Sequence, residues 1–336
     1  MPTNVLVTGA AGFIGFHLCD RLLRDGVQIV ALDDLSPYYD VALKDARRQL
    51  LKERYGLEVE IVDVADKAAL QAAWRRAQPQ WVFHLAAQAG VRYSLENPGA
   101  YVSSNLFGFA NVLECCREIP PQHLLYASSS SVYGANPIPW SEHQPTDHPV
   151  SFYAATKKAN EVMAHSYAAL FGFPATGLRF FTVYGEWGRP DMAFFKFADS
   201  IMRDAAVELY NDGRSTRDFT YVRDAVEAVV RIARHPPSAA TGALGLIDPA
   251  ESPVAPHRLI NIASGKRTTL TEFVDAIAAA LGRRPDIRLR AMMPGDVADT
   301  WADVTLLKAL TGYVPDTPLR EGIERFAGWY KQTYAS

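Results

Sequence analysis

Tyr153 and Lys157 stand in the run Tyr-Ala-Ala-Thr-Lys, at the start of a helical pattern that extends from about Phe152 to Phe171. On a helix, positions i and i+4 share one face. Tyrosine is a weak base at neutral pH, because its phenol titrates near about 10 in model peptides. A cation one turn away favours the phenolate and lowers that value. Such a pair suits the removal of a proton from an alcohol while a hydride leaves the same carbon. That chemistry calls for a third residue bearing a hydroxyl. The run Ser128-Ser129-Ser130-Ser131-Val132-Tyr133-Gly134 offers several, directly after the strand-like His123-Leu124-Leu125-Tyr126. Residues that leave the carboxyl end of a parallel strand face the crevice where open α/β sheets bind ligands. Each feature also has a plainer reading, a solvated helix face for the first and a polar loop for the second.

The partner for a hydride is written earlier in the chain. Thr8-Gly9-Ala10-Ala11-Gly12-Phe13-Ile14-Gly15 follows the strand-like Val5-Leu6-Val7 and opens a helical stretch through Leu22 and Leu23. In this pattern Gly9 permits the tight turn, Gly12 lets the backbone approach a pyrophosphate, and Gly15 lets the helix pack on the sheet. The helix N-terminus offers N–H groups and a positive dipole end to the anion. The next strand, Ile29-Val30-Ala31-Leu32, ends at Asp33. A carboxylate there accepts hydrogen bonds from the adenosine ribose hydroxyls and repels a 2′-phosphate, which favours NAD over NADP. Asp34 is the rival for this role, with the strand register favouring Asp33. Asp63-Val64, after the strand-like Val59 to Val62, is placed to hold an adenine, and Asp63 reads equally well as a helix N-cap.

These residues need a scaffold that alternates strand and helix. Trp81 to Leu85 and Ala175 to Arg179 continue the series of buried-strand runs, with helix-length segments between most of them. That alternation predicts an α/β fold, a doubly wound parallel sheet of the Rossmann type covered on both faces. Beyond about Tyr184 helical segments dominate, with Leu259 to Ile262 as one more strand, so a smaller, mostly helical C-terminal substrate domain is expected. The expected division is 1–183 for the dinucleotide domain, with returning segments near 220–235 and 258–264, and 184–336 for the partly interleaved substrate domain. Two loop-rich segments stand out, Asn136 to Val150 and His235 to His257, the second long enough to suggest packing on the surface or near a site.

Composition restricts the function classes. The 336 residues are 49% hydrophobic and 21% charged, which gives a globular chain with a sizeable core. With 34 basic and 37 acidic residues the net charge is −3, so no overall charge recruits a nucleic acid or a membrane surface. No apolar run reaches the roughly 18 residues of a membrane span. Met1 to Asn4 leads straight into a strand, without the features of a signal peptide. Cys19, Cys115 and Cys116 lack metal-ligand spacing, and a reduced cytoplasmic protein without a metal is expected.

In order and spacing, the glycine run, Asp33, Leu85-Ala86-Ala87, the serine run with Val-Tyr-Gly, and Tyr-x-x-x-Lys resemble the extended short-chain dehydrogenase/reductase family. More narrowly the chain resembles its nucleotide-sugar epimerases, and among them the UDP-glucuronate 4-epimerases. Tyr38-Tyr39-Asp40, Ala86 to Ser94, Arg179 to Gly185, Trp187 to Met192, Arg217 to Val222 and Pro294-Gly295-Asp296 carry this similarity across nearly the whole chain. The resemblance implies NAD as cofactor, with Leu85, Ala86, Ala87 and Asn105 lining its site. It implies Ser129 as the catalytic hydroxyl, Tyr153 as the base, and Lys157 as its partner on the nicotinamide ribose. Arg217 would hold the diphosphate of a UDP-sugar, Thr182 and Arg189 would face that substrate, and Arg92 is a candidate anion contact. Taken as residues alone, Arg217 also reads as a salt-bridge partner of Asp218 or Asp224, and Arg92 as a solvated loop charge. A homodimer packed through helices near 100–117 and 152–171 is implied as well.

Branches of that family share oxidation of the sugar at C4 and differ afterwards. The 4,6-dehydratases resemble one another in an Asp-Glu pair after the catalytic hydroxyl, where this chain has Ser130 and Ser131. The decarboxylases resemble one another in a Glu just before Val-Tyr-Gly, where Ser131 stands. Galactose-type epimerases carry Asn at the position of Thr182. The pattern therefore favours C4 epimerisation of UDP-glucuronate, ahead of a UDP-glucose/UDP-galactose 4-epimerase or a UDP-glucuronate decarboxylase. A 4-keto uronate is a β-keto acid that loses CO2 when its carboxylate stands perpendicular to the ketone plane. Ser130, Ser131 and Thr182 are expected to hold the carboxylate out of that geometry.

Overall fold

The structure, a computed structural model, describes residues 2–238, 250–291 and 298–334. Pro294, Gly295 and Asp296, and the middle of the segment from His235 to His257, lie outside the described residues.

The first half alternates as its pattern predicts. β1 (Asn4–Thr8), α1 (Phe13–Arg24), β2 (Gln28–Asp33), α2 (Val41–Tyr55), β3 (Val59–Ile61), α3 (Lys67–Ala77) and β4 (Trp81–His84) follow one another. Two short helices come next, α4 (Tyr93–Glu96) and α5 (Pro98–Tyr101), then a π-helical stretch, Val102–Gly108, that runs into α6 (Phe109–Glu118). β5 (His123–Ser129), α7 (Phe152–Phe171) and β6 (Ala175–Phe180) complete this half. The rest comprises β7 (Thr182–Tyr184), α8 (Ala193–Met202), β8 (Ala206–Tyr210), β9 (Thr216–Tyr221), α9 (Val222–Ala233), β10 (His257–Ile262), β11 (Arg267–Thr269), α10 (Leu270–Leu281), β12 (Asp286–Arg290), α11 (Thr305–Thr311) and α12 (Leu319–Tyr334).

The main sheet has seven parallel strands in the order β10-β6-β5-β4-β1-β2-β3. Its two faces are built from alternate residues of the same strands. Val5, Val7, Phe83 and Leu125 point into one apolar cluster, with Leu18 and Leu22 of α1 and Val226 and Val230 of α9. Leu6, Val82 and Leu124 point into the other, with Leu70 and Trp74 of α3, Val112 of α6 and Ala164 of α7. This period of two in a doubly covered sheet makes each strand apolar throughout. The strand order reverses between β1 and β4, and the crevice outside the carboxyl ends of the strands at such a point is where ligands enter.

Helix dominates the second half, and it also carries two small sheets that the apolar pattern does not reveal. One is β11-β9-β7, the other the parallel pair β8 and β12. Their strands are short or rich in charged residues, such as Thr-Arg-Asp-Phe-Thr-Tyr in β9. Among the described residues no helix is long and apolar enough to cross a membrane.

Candidate active site

A cavity of about 480 Å3 opens at the switch point, within the range of small-molecule sites. Its floor is the glycine turn. Gly9 has φ +74°, where a side chain is strained, and a Cβ there would sit 2.7 Å from the Ala86 nitrogen. A Cβ on Gly15 would lie 2.0 Å from the Gly9 carbonyl oxygen, so only glycine lets α1 start this close to the turn. α1 begins after Gly12 with no side-chain cap and no acidic residue in its first turn, leaving its positive end to face an anion. Gly9, Gly12, Phe13, Ile14 and Gly15 all line the cavity. These features fit a dinucleotide pyrophosphate.

Asp33 lines the same cavity at the end of β2. Its Oδ2 accepts from the Ala11 amide at 3.0 Å and its Oδ1 from the Leu35 amide at 2.8 Å. Burial raises its pKa, and Lys44, with Nζ 3.8 Å from Oδ1, opposes that rise. Lys44 was not legible as a site residue in the sequence. Asp34 also reaches the cavity, while its Oδ1 is held by the Ser36 amide. Val64, Leu85, Ala86 and Ala87 line the cavity and Asp63 does not. The alternative reading of Asp63 as an N-cap is corrected by the structure: Asp66 caps α3, and Asp63 accepts from the Ala65 amide in an exposed turn.

α7 carries the expected pair. Ser151 caps it by accepting from the Ala154 amide at 3.1 Å, which places Tyr153 and Lys157 in the first two turns, both facing the cavity. Tyr153 stands beside Ser129, at the end of β5. Burial raises the Tyr153 phenol, and the groups that oppose the rise are Arg189 and Ser129. Lys157 Nζ lies 6.0 Å from the Tyr153 ring centre and donates to the Ala127 carbonyl at 2.9 Å. Burial lowers Lys157 itself to about 8.

The serines turn away from β5 in a single helical turn, Ser130–Tyr133. Ser131 donates to Ser129 Oγ through both its amide, at 3.2 Å, and its hydroxyl, at 2.9 Å. Ser130, Ser131 and Thr182 of β7 line the cavity beside them, as do Arg189 and Arg217. Arg189 meets Asp191 with Nε and Nη2, each at 3.0 Å. Burial disfavours its charge, yet Asp191 raises its pKa overall. Tyr38, from the other side of the cleft, donates to the same carboxylate at 3.1 Å. Arg217 Nη1 donates to the carbonyls of Thr216 and Ala298, while Asp218 is turned to the Ser264 and Gly265 amides.

Two other expected residues stand outside the cavity lining. Asn105, in the π-helical stretch, is buried behind the wall. Its carboxamide accepts from the Gln88 amide at 2.8 Å and donates to the Gln88 carbonyl and the Thr156 hydroxyl. It braces the Gln88 to Val91 loop, which lines the cavity. Arg92 is exposed, with its guanidinium 5.4 Å from the Tyr210 ring centre. Arg47, which no local pattern singles out, is fully buried and donates to the Ala11 carbonyl, the Tyr39 hydroxyl and the Trp187 carbonyl. It ties the glycine turn to the segment leading into Arg189.

Residues 5–244 match the family described as Epimerase, NAD dependent epimerase/dehydratase family. A protein of Rhizobium meliloti (strain 1021) named "Probable UDP-glucuronate 4-epimerase" is 48% identical, over 98% of this chain and 97% of its own. Among solved structures, UDP-glucuronic acid 4-epimerase from Bacillus cereus, in complex with UDP-glucuronic acid and NAD, superposes with a TM-score of 0.86 at 30% identity, over 98% of this chain and 99% of that one. The UDP-glucose 4-epimerase of Thermus thermophilus, in complex with NAD, gives 0.83 at 30% identity, over the same shares.

Proposed function

We propose that this chain, which belongs to the NAD dependent epimerase/dehydratase family, interconverts UDP-glucuronate and UDP-galacturonate. It is an NAD-dependent nucleotide-sugar 4-epimerase. The cradle of Gly9, Gly12 and Gly15 would hold the dinucleotide pyrophosphate, with Asp33 at the adenosine ribose. Bound there, NAD supplies the acceptor and donor of the C4 hydride.

In this reading Tyr153 takes the C4 hydroxyl proton and later returns it, with Ser129 donating to the same oxygen and Lys157 fixing the ribose beside them. Arg217 holds the diphosphate of the substrate, and Arg189 and Thr182 face it. The observation that carries the epimerase reading is the distribution of acids. Among the described residues the carboxylates lining the cavity are Asp33 and Asp34, at the end of β2 and directly after it, whereas hydroxyl side chains line the cavity with Tyr153. Dehydration across C5 and C6 needs an acid beside the sugar, and none of Ser129, Ser130, Ser131 and Thr182 supplies one. The hydroxyls of Ser130 and Thr182, and that of Ser131 once it turns from Ser129, can instead bind a uronate carboxylate as neutral donors. The ketone then turns about its diphosphate linkage and takes the hydride on its other face.

Residues 1–183, with the segments near 220–235 and 258–264, serve as the cofactor half in this account, and 184–336 as the sugar half. Val102, Phe107, Val162 and Leu170 remain exposed on the π-helical stretch and α7, which supports pairing of two copies through these helices. A single mass measurement by light scattering tests this, with a dimer expected and a monomer at micromolar concentration opposing it. Cys19, Cys115 and Cys116 are buried free thiols, which suits a reducing cytoplasm.

Incubation of the purified protein with UDP-glucuronate and no added cofactor, followed by proton NMR, tests the substrate. UDP-galacturonate forming to equilibrium supports the proposal. UDP-pentose as the main product would mean a decarboxylase, and turnover of UDP-glucose alone would mean a neutral-sugar epimerase.

A further inference from the structure

One buried ion pair lies directly beneath the serine turn. Glu161 is the next residue in the stripe Tyr153, Lys157, Glu161, one turn apart along a single face of α7. The stripe grips the end of β5 residue by residue: Tyr153 meets Ser129, Lys157 meets the Ala127 carbonyl, and Glu161 Oε1 accepts from Ser128 Oγ at 2.6 Å. Arg179, paired in register with Ser128 on the adjacent strand, closes on Glu161 with Nε to Oε1 at 2.8 Å and Nη2 to Oε2 at 2.9 Å. The two side chains are 1% and 2% exposed. The same guanidinium lies 4.7 Å from the ring centre of Tyr133, the last residue of the serine turn. Ser128 and Tyr133 thus bracket Ser129, Ser130 and Ser131, and both rest on one charge pair. Stability alone does not require this arrangement, because buried pairs rarely outperform apolar packing of the same volume.

We propose that Glu161 and Arg179 are positioning residues which fix the serine hydroxyls and thereby keep the reaction on epimerisation. The inference rests on the uronate reading above. In a 4-keto uronate the C5–C6 bond breaks when the carboxylate stands perpendicular to the ketone. The electron pair then moves toward the C4 oxygen, CO2 leaves, C5 takes a proton from water, and the restored C4 ketone takes back the hydride to give the pentose. Hydroxyls held at fixed positions keep the carboxylate out of that alignment. A loosened serine turn lets it rotate, so the product changes while substrate binding through Arg217 persists.

The test compares wild type, Glu161→Gln and the double variant Glu161→Gln/Arg179→Met, in which both charges are gone, with UDP-glucuronate as substrate. Circular dichroism establishes folding, and the double variant serves if the single one fails to fold. Proton NMR of the products gives the ratio of UDP-pentose to UDP-galacturonate. The expected result is a pentose share raised about fivefold or more, with KM changed less than about threefold, as loss of one orienting hydrogen bond implies. A folded variant with an unchanged pentose share, whatever its kcat, overturns the positioning role alone. Wild type that leaves UDP-glucuronate unchanged overturns the uronate reading, and this proposal with it.

Discussion

The Tyr38 hydroxyl donates to the Asp191 carboxylate at 3.1 Å, joining the segment before α2 to the segment before α8 across the mouth of the cavity. Asp191 is the group that receives Arg189 through two hydrogen bonds, so Tyr38 helps to orient a cation that lines the cavity. Tyr38→Phe is expected to raise KM for the UDP-sugar about three- to tenfold with kcat within about twofold of wild type. Steady-state kinetics checks this, and an unchanged KM would mean that Arg189 is held by Asp191 alone.

Tyr153→Phe removes one oxygen and leaves the ring packed against Tyr101, whose centre lies 6.0 Å away. Turnover should fall by roughly 10²- to 10⁴-fold, the usual contribution of a positioned proton-transfer group, with the melting temperature little changed. Initial rates and a thermal melt on the same preparation decide the matter. A fall of less than about tenfold would point to another base.

On the proposed reading, cofactor choice rests on Asp33, which stands beside Lys44. With the carboxylate removed in Asp33→Ser, the ammonium stays and the repulsion of a 2′-phosphate is gone. The ratio of NADP to NAD affinity should rise by about tenfold or more. Fluorescence titration of cofactor-stripped protein measures it. An unchanged ratio would show that the shape of the pocket, not this charge, excludes the phosphate.

Glu142 is 1% exposed and accepts from the Asn261 amide at 2.6 Å. Burial pushes its carboxyl up from 4.5 to about 7, against the pull of hydrogen bonds and Arg179. The folded protein therefore holds this proton more tightly than the unfolded chain. The stability it contributes is complete below pH 4.5 and is lost as pH rises through about 7. Relative to Glu142→Gln, wild type should lose up to about 3 kcal/mol across that window. Melting curves of both proteins at about pH 5 and about pH 8, on either side of most of that window, test the sign. The variant gains on wild type as pH rises, and parallel curves would contradict the assignment.

Features encoded by neighbours in the chain were legible before the structure. Gly9, Gly12 and Gly15 follow the geometry of one turn, Tyr153 and Lys157 the pitch of one helix, and the main sheet the repetition of apolar runs. What stayed hidden depends on residues far apart in sequence. Arg47 is committed to the Trp187 carbonyl, Glu161 to Arg179, and Lys44 to Asp33, and nothing local marks those charges as buried. The direction of the Lys157 ammonium stayed hidden for the same reason. The i+4 spacing gives proximity, but the Ala127 carbonyl, brought in by another strand, decides where the ammonium points. Asn105 was placed in the cavity wall and braces it from behind, because the π-helical stretch turns its carboxamide toward Gln88.

The central claim is that one carbon is oxidised and reduced within a single site. UDP-glucuronate carrying deuterium at C4, incubated with the purified protein in ordinary water without added cofactor, tests it directly. The account predicts UDP-galacturonate that keeps the deuterium at C4, since the hydride leaves and returns without meeting solvent. Loss of the label to water at a rate matching product formation would contradict it.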